Sequence, residues 1–199
     1  MVGGFTISTI LNVPSAFSTG SALTISSSPV STFCNITSML ASPNVTAIDL
    51  SDLPSINCET AEKPFFVFAH INSPHIPYIF GPNGEEVIPE NLELGDPDNH
   101  KDIDAYIGQL QFINKKVLEA VSNILADENS NTIIVIQSDH GTRYIVDDYI
   151  DPTDDGIRER LSILNAYYLP DKNYDIFGER NTPVNTFRIV FNSYFGSNY

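Results

Sequence analysis

Three of the four histidines in this 199-residue chain fall in two short stretches whose composition could do chemistry. One reads Ala69-His70-Ile71-Asn72-Ser73-Pro74-His75-Ile76-Pro77; the other reads Gln137-Ser138-Asp139-His140-Gly141. Adjacent Asp139 and His140 offer a hard oxygen and an imidazole nitrogen to one divalent cation. Gly141, next in line, lets the chain turn away sharply. Each feature also has an ordinary reading. Asp and Gly after a strand are common turn chemistry, and a histidine near a strand end is commonly a hydrogen-bonded, half-buried residue.

The elements around these residues give them a shared address. Phe65–Ile71 is a short apolar run rich in aromatic and β-branched residues, bounded by Pro64 and by Asn72-Ser73-Pro74. Thr132–Gln137 is a second such run, and both fit strands buried on two faces. Between them, Ile103, Ile107, Leu110, Ile113, Val117, Val121 and Ile124 recur at three and four, which predicts an amphipathic helix over Asp102–Leu125. Asp98 or Asp102 is placed to cap it. A strand, a crossover helix and a strand make a βαβ unit, so the class is α/β with a sheet at least partly parallel. Ligands of such sheets collect at the carboxyl ends of the strands. Both histidine-bearing stretches begin at that edge.

The remaining segments are read more coarsely. Ser73–Asp98 is an irregular excursion, and long structured loops inside a domain are commonly functional. Asp147–Gly156 reads as an acidic loop, Leu164–Leu169 as a third strand, and Val184–Tyr194 as a second amphipathic helix started by Pro183. Residues 1–62 form a poorly defined N-terminal portion of the same single domain, whose core is 63–199. No Lys or Arg occurs before Lys63, and the first acidic residue is Asp49. A helix is expected near Ser18–Ile25.

Composition narrows the partners. With 25 acidic and 10 basic residues the formal net charge is −15, which repels nucleic acid and would concentrate cations. Such a charge is equally the mark of a solvated acidic surface. Cys34 and Cys58 show no zinc-ligand spacing, and whether they pair is left open. Asn35-Ile36-Thr37 and Asn44-Val45-Thr46 would accept glycans only in an exported chain. No segment has the length of a membrane span, and the first residues lack a signal-peptide pattern. The chain reads as soluble.

Several separated motifs, in order, resemble one family. Phe65–Tyr78 looks like the strand and histidine-proline loop of sulfatases, and Ile133–Gly141 resembles their C-terminal metal motif. Tyr106-Ile107-Gly108-Gln109-Leu110 and Asn114 lie between them as in that family. Arg160–Pro170 and Thr182–Arg188 look like the tail of the membrane-linked sulfatase-like hydrolase/transferase branch of the alkaline phosphatase superfamily. The resemblance runs from Lys63 to Tyr199. It implies a sandwich with a mostly parallel central sheet flanked by helices, and an activity on a sulfate or phosphate ester, plausibly a cell-envelope glycolipid or polysaccharide. It also implies a divalent metal (manganese, zinc, calcium or magnesium) held by Asp139 and His140. By the same resemblance His75 contacts the ester group or its leaving oxygen, with His70 as a helper. Arg143 is either an anion contact or an ordinary surface arginine.

The other half of that family's site is harder to find. A strand ending in the first acidic ligand is expected near the N-terminus, and Met1-Val2-Gly3-Gly4-Phe5 shows none. Asn12–Leu23 resembles the stretch that carries the nucleophile, and that register puts Ser15 in its place, where the alternative is an ordinary Ser/Thr-rich loop. Ser27-Ser28-Pro29-Val30-Ser31 lacks the arginine of the formylglycine signature. Two expectations follow: an N-terminally incomplete piece of a larger enzyme, whose membrane link would lie in the parent protein, or a catalytically silent binding or scaffold module.

Overall fold

Apolar, β-branched heptapeptides and one long three-four stripe dictate the frame. A computed structural model describes residues 5–11, 32–38, 65–88, 102–126, 131–144, 153–179 and 181–199, with the first two segments and Phe65 described through their backbone alone. Strands β1 (Phe5–Leu11), β2 (Thr32–Ser38) and β3 (Phe65–Ile71) are followed by helix α1 (Ile103–Ile124) and strand β4 (Ile133–Ser138). Helix α2 (Asp154–Leu161), strand β5 (Asn165–Tyr168), a 3-10 turn at Tyr174–Phe177 and helix α3 (Pro183–Phe195) complete the order.

The five strands form one sheet in the order β2-β3-β1-β4-β5. β2 runs parallel to β3, whereas β1 is antiparallel to both β3 and β4, and β5 is antiparallel to β4. β2, β3 and β4 therefore share one direction, as the βαβ reading requires. The expected predominance of parallel pairing is not what the described ladders show, because β1 inserts between β3 and β4 against their direction. β1 lies near the N-terminus, where the sequence lacks a strand ending in an acidic ligand, and it does not supply one. Phe5-Thr6-Ile7-Ser8-Thr9-Ile10-Leu11 has the β-branched content of a strand. No acid closes it, since the next acidic residue is Asp49.

The period of two sorts side chains into two layers. Val67, Ala69 and Ile71 of β3 and Ile134 of β4 pack with Ile113, Val117, Ala120 and Ile124 of α1. From the other face, Ile133 and Val135 pack with Leu169, Phe177 and the α3 residues Val190, Tyr194 and Phe195. Phe66 joins that second layer edge-on to Phe187, with ring centroids 5.9 Å apart. Helices thus cover both faces, which is why the strands read as continuous apolar runs. Asp102 caps α1 by accepting from the Ala105 N–H at 3.0 Å. Gly196, in the left-handed region at φ 64, ends α3.

Two local readings change. α2 occupies the end of the segment read as an acidic loop; Thr153 caps it, and Asp154 and Asp155 sit in its first turn, a helix-start signal. The expected helix near Ser18–Ile25 and Cys58 lie outside the described residues. No helix among those described is long and apolar enough to cross a membrane.

Candidate active site

The strand register puts the two histidine-bearing loops on one rim. Phe5, the first residue of β1, pairs with Ile71 on one side and with Ser138 on the other. The carboxyl ends of β3 and β4 therefore stand level with each other, about 10 Å apart across one intervening strand. One rung further in, Thr6 pairs with both His70 and Gln137. His70 and Gln137 consequently share a face, the one covered by α3. The His70 ring stacks at 6.5 Å on Phe68, its same-face neighbour two residues back.

At the end of β4 the chain closes on itself. The Asp139 carboxylate accepts from the His140 backbone N–H at 2.9 Å through Oδ1, and its Oδ2 stands 3.5 Å from His140 Nε2. Two donors bonded at about 2.1 Å to one cation at a tetrahedral angle lie roughly 3.4 Å apart. The observed pair has that bite. Asp139 is largely exposed and His140 mostly buried, so a cation bound here would meet solvent on one side. His140 Nδ1 is 2.8 Å from the Gly141 carbonyl, which can only accept a proton. The Arg160 guanidinium, which can only donate, stands against the same nitrogen, so the two neighbours of Nδ1 call for opposite tautomers. Arg160 Nη1 donates to the same carbonyl at 3.1 Å and lies 2.7 Å from Nδ1. Among the described residues, no group of three or more His, Cys, Asp or Glu is gathered for a metal. Asp139 and His140 fit two positions of a coordination shell and no more.

α2 holds this turn in place. The Gly141 N–H donates to the Arg160 carbonyl at 2.7 Å. A Cβ at Gly141 would stand 2.0 Å from the Glu159 carbonyl oxygen and 2.7 Å from that of Ser162, so only glycine admits this approach. Glu159 Oε1 accepts from the Tyr144 N–H at 2.7 Å and from the Thr142 hydroxyl in a very short bond. Arg143 lies between them, half-buried. On the other side of the strand end, Ser138 exchanges two bonds with Leu164, each 2.9 Å.

The loop after β3 is equally fixed, and α1 is its anchor. His75 donates its backbone N–H to the Asn72 carbonyl at 2.9 Å, and its Nδ1 lies 2.5 Å from the Ile76 carbonyl. That contact puts the ring proton on Nδ1 and leaves Nε2 as the atom available to a ligand. Residues 79–87 form a small hairpin: Gly81 and Glu85 are bonded, the Val87 N–H reaches the Ile79 carbonyl, and Gly84 turns at φ 87. Phe80 packs on Phe112 of α1 at 5.1 Å, while Lys115 Nζ donates to the Pro82 carbonyl at 2.7 Å and to Asn83 Oδ1 at 2.9 Å. Tyr78 meets Tyr106 edge-on at 6.0 Å. Burial raises the Tyr106 phenol, and the Glu159 carboxylate raises it further.

Sequence reasoning brought Asp139, His140, His70 and His75 to this rim; Ser15 lies outside the described residues. It gave no role to Glu159, Arg160 or Gln109. A capped helix start at Thr153 would have pointed to the first two. A glutamine on the apolar stripe of α1 would have pointed to the third.

A family model described as Sulfatase matches residues 50–189, more than half of the chain. No curated protein and no solved structure gives a significant match.

Proposed function

The chain belongs to the sulfatase family, and on that premise we propose that it is a metal-dependent hydrolase or transferase of a sulfate or phosphate ester. The observation that carries the reading is the bite of Asp139 and His140, 3.5 Å from Oδ2 to Nε2, on the rim where the His75 loop begins. Asp139 and His140 would hold the cation, with its further donors supplied from outside the described residues. A divalent cation, when bound, polarises the ester oxygens and lowers the pKa of a nucleophilic hydroxyl.

In the proposed mechanism the hydroxyl of Ser15 loses its proton to solvent, and its Oγ forms a bond to the sulfur or phosphorus. The bond from that centre to the leaving oxygen breaks. His75 enters this step as the imidazolium, keeps its Nδ1 proton on the Ile76 carbonyl and gives the leaving oxygen its Nε2 proton, ending as the neutral ring. Water or an acceptor hydroxyl then releases the serine. His70 supports the rim from one rung inside, and Arg143 helps bind the anionic group. A glycolipid or polysaccharide of the cell envelope suits a solvent-facing site of this kind. Nucleic acid does not suit a surface of net charge −15.

Calorimetric titration with manganese, zinc, calcium and magnesium, paired with aryl sulfate and aryl phosphate assays, tests the reading. Metal binding that weakens by about a hundredfold or more in Asp139→Ala, together with turnover, is the expected result. Metal binding without turnover leaves a binding module. No affinity for any of the four cations overturns the active-site assignment.

A further inference from the structure

One buried side chain is bonded entirely to the backbone of the loop that carries His75. Gln109 is 1% exposed, on the face of α1 that meets the β3 loop. Its Oε1 accepts from the Ile79 N–H at 2.8 Å and from the Phe80 N–H at 3.2 Å. Its Nε2 donates to the His75 carbonyl at 3.2 Å. A carboxamide has two lone pairs and two protons, and here both ends are used on one loop. A buried apolar residue of the same size would pack in its place but leave three backbone groups without partners.

We propose that Gln109 is the positioning residue of the site, fixing through the His75 carbonyl where the His75 imidazole stands. The inference rests on the reading of His75 as the residue facing the ester, but it is tested without turnover. The carbonyl and the ring of His75 belong to one residue, and the ring is itself tied to the Ile76 carbonyl. Setting the peptide on either side therefore sets Nε2. Gln109 donates no proton to substrate and touches none.

The test compares the isotopically labelled full chain with Gln109→Met and Gln109→Glu, using amide exchange and the ring resonances of His75. Met keeps the volume and removes all three bonds. Protection of the Ile79 and Phe80 amides should fall about tenfold or more, and the His75 ring signals should shift or broaden. The amides of Val117 and Ala120, further along the same helix, should stay protected. Glu, read above the pH at which its buried carboxyl ionises, keeps the acceptor for Ile79 and Phe80 but sets a carboxylate oxygen against the His75 carbonyl. There the two amides should remain protected while the His75 ring signals alone move, which also covers the case in which Met prevents folding. An unmoved His75 ring in folded Gln109→Met, or in Gln109→Glu, overturns the inference. A moved ring in a chain that turns over no ester leaves it standing and removes the proposed function instead.

Discussion

Gly141 and Arg160 hold each other at both ends: the glycine N–H donates to the arginine carbonyl at 2.7 Å, and the guanidinium returns a bond of 3.1 Å to the glycine carbonyl. This reciprocal pair locks the last turn of α2 onto the turn that presents Asp139 and His140. The carbonyls of Glu159 and Ser162 fill the space a side chain would need. Gly141→Ala should therefore cost about 1–3 kcal/mol of stability, as overpacking does. It should also weaken metal binding more than its loss of stability accounts for. Denaturant unfolding and calorimetry on the same samples check this, and an unchanged midpoint would contradict the packing.

Removing the guanidinium tests a different part of the turn. Arg160→Met keeps the backbone bond from Gly141 and removes the contacts to the His140 ring and the Gly141 carbonyl. Cation affinity should change by about tenfold or more while the unfolding midpoint moves little, since partners outside the coordination shell tune a ligand on that scale. Equal affinity in the two proteins would show that the arginine has no hold on His140.

Behind the rim, Thr186 is the hub of a buried polar cluster. Its hydroxyl lies 3.0 Å from the Tyr167 hydroxyl and takes Asn181 Nδ2 at 3.2 Å and Gln137 Nε2 at 3.4 Å, with the side chain 0% exposed. Gln137 also donates to Asn165 at 3.2 Å, so the cluster ties α3 to the ends of β4 and β5. Thr186→Val preserves shape and removes the hub, and should cost about 1–3 kcal/mol through the partners it strands. Urea unfolding measures this; a neutral result would mean the cluster closes up without it.

Three phenols set the alkaline limit. Burial raises Tyr78, Tyr106 and Tyr194 above the ordinary value of 10.0, with Tyr106 and Asp102 adding to the first, Glu159 to the second, and the bonded Asp171 to the third. A folded-state pKa above the unfolded one contributes stability that is whole below pH 10 and is lost as pH climbs through the folded values. Thermal unfolding followed against pH should thus decline only above about pH 10, and phenolate absorbance should show a late group among the nine tyrosines. A single titration near 10 with the fold intact would refute it.

How much of this was legible in the residues depends on what each signal is made of. Phe65–Ile71 was read to its exact bounds, and α1, β4, β5 and α3 within two residues, because apolar period and capping are local properties. The stripe of α1 was only half right. Ile103 and Ile107 are exposed at 41% and 42%, while Gln109 is buried, because the first turns of the helix leave one side to solvent and turn Gln109 to the backbone of the β3 loop. Periodicity cannot tell those two neighbours apart. The Asp139-His140 pair was visible as a motif, and its 3.5 Å bite was not, since that depends on α2 folding against Gly141. The placement of β1 was least legible of all, because strand order is set by partners far away in sequence.

That placement decides what holds the site together. β3 and β4 follow each other through a crossover and run the same way, yet they are not paired with each other; Phe5–Ile10 lies between them, pairing with β3 on one side and with β4 on the other. The two histidine loops therefore keep their spacing only while a strand remote from both in sequence stays seated between them.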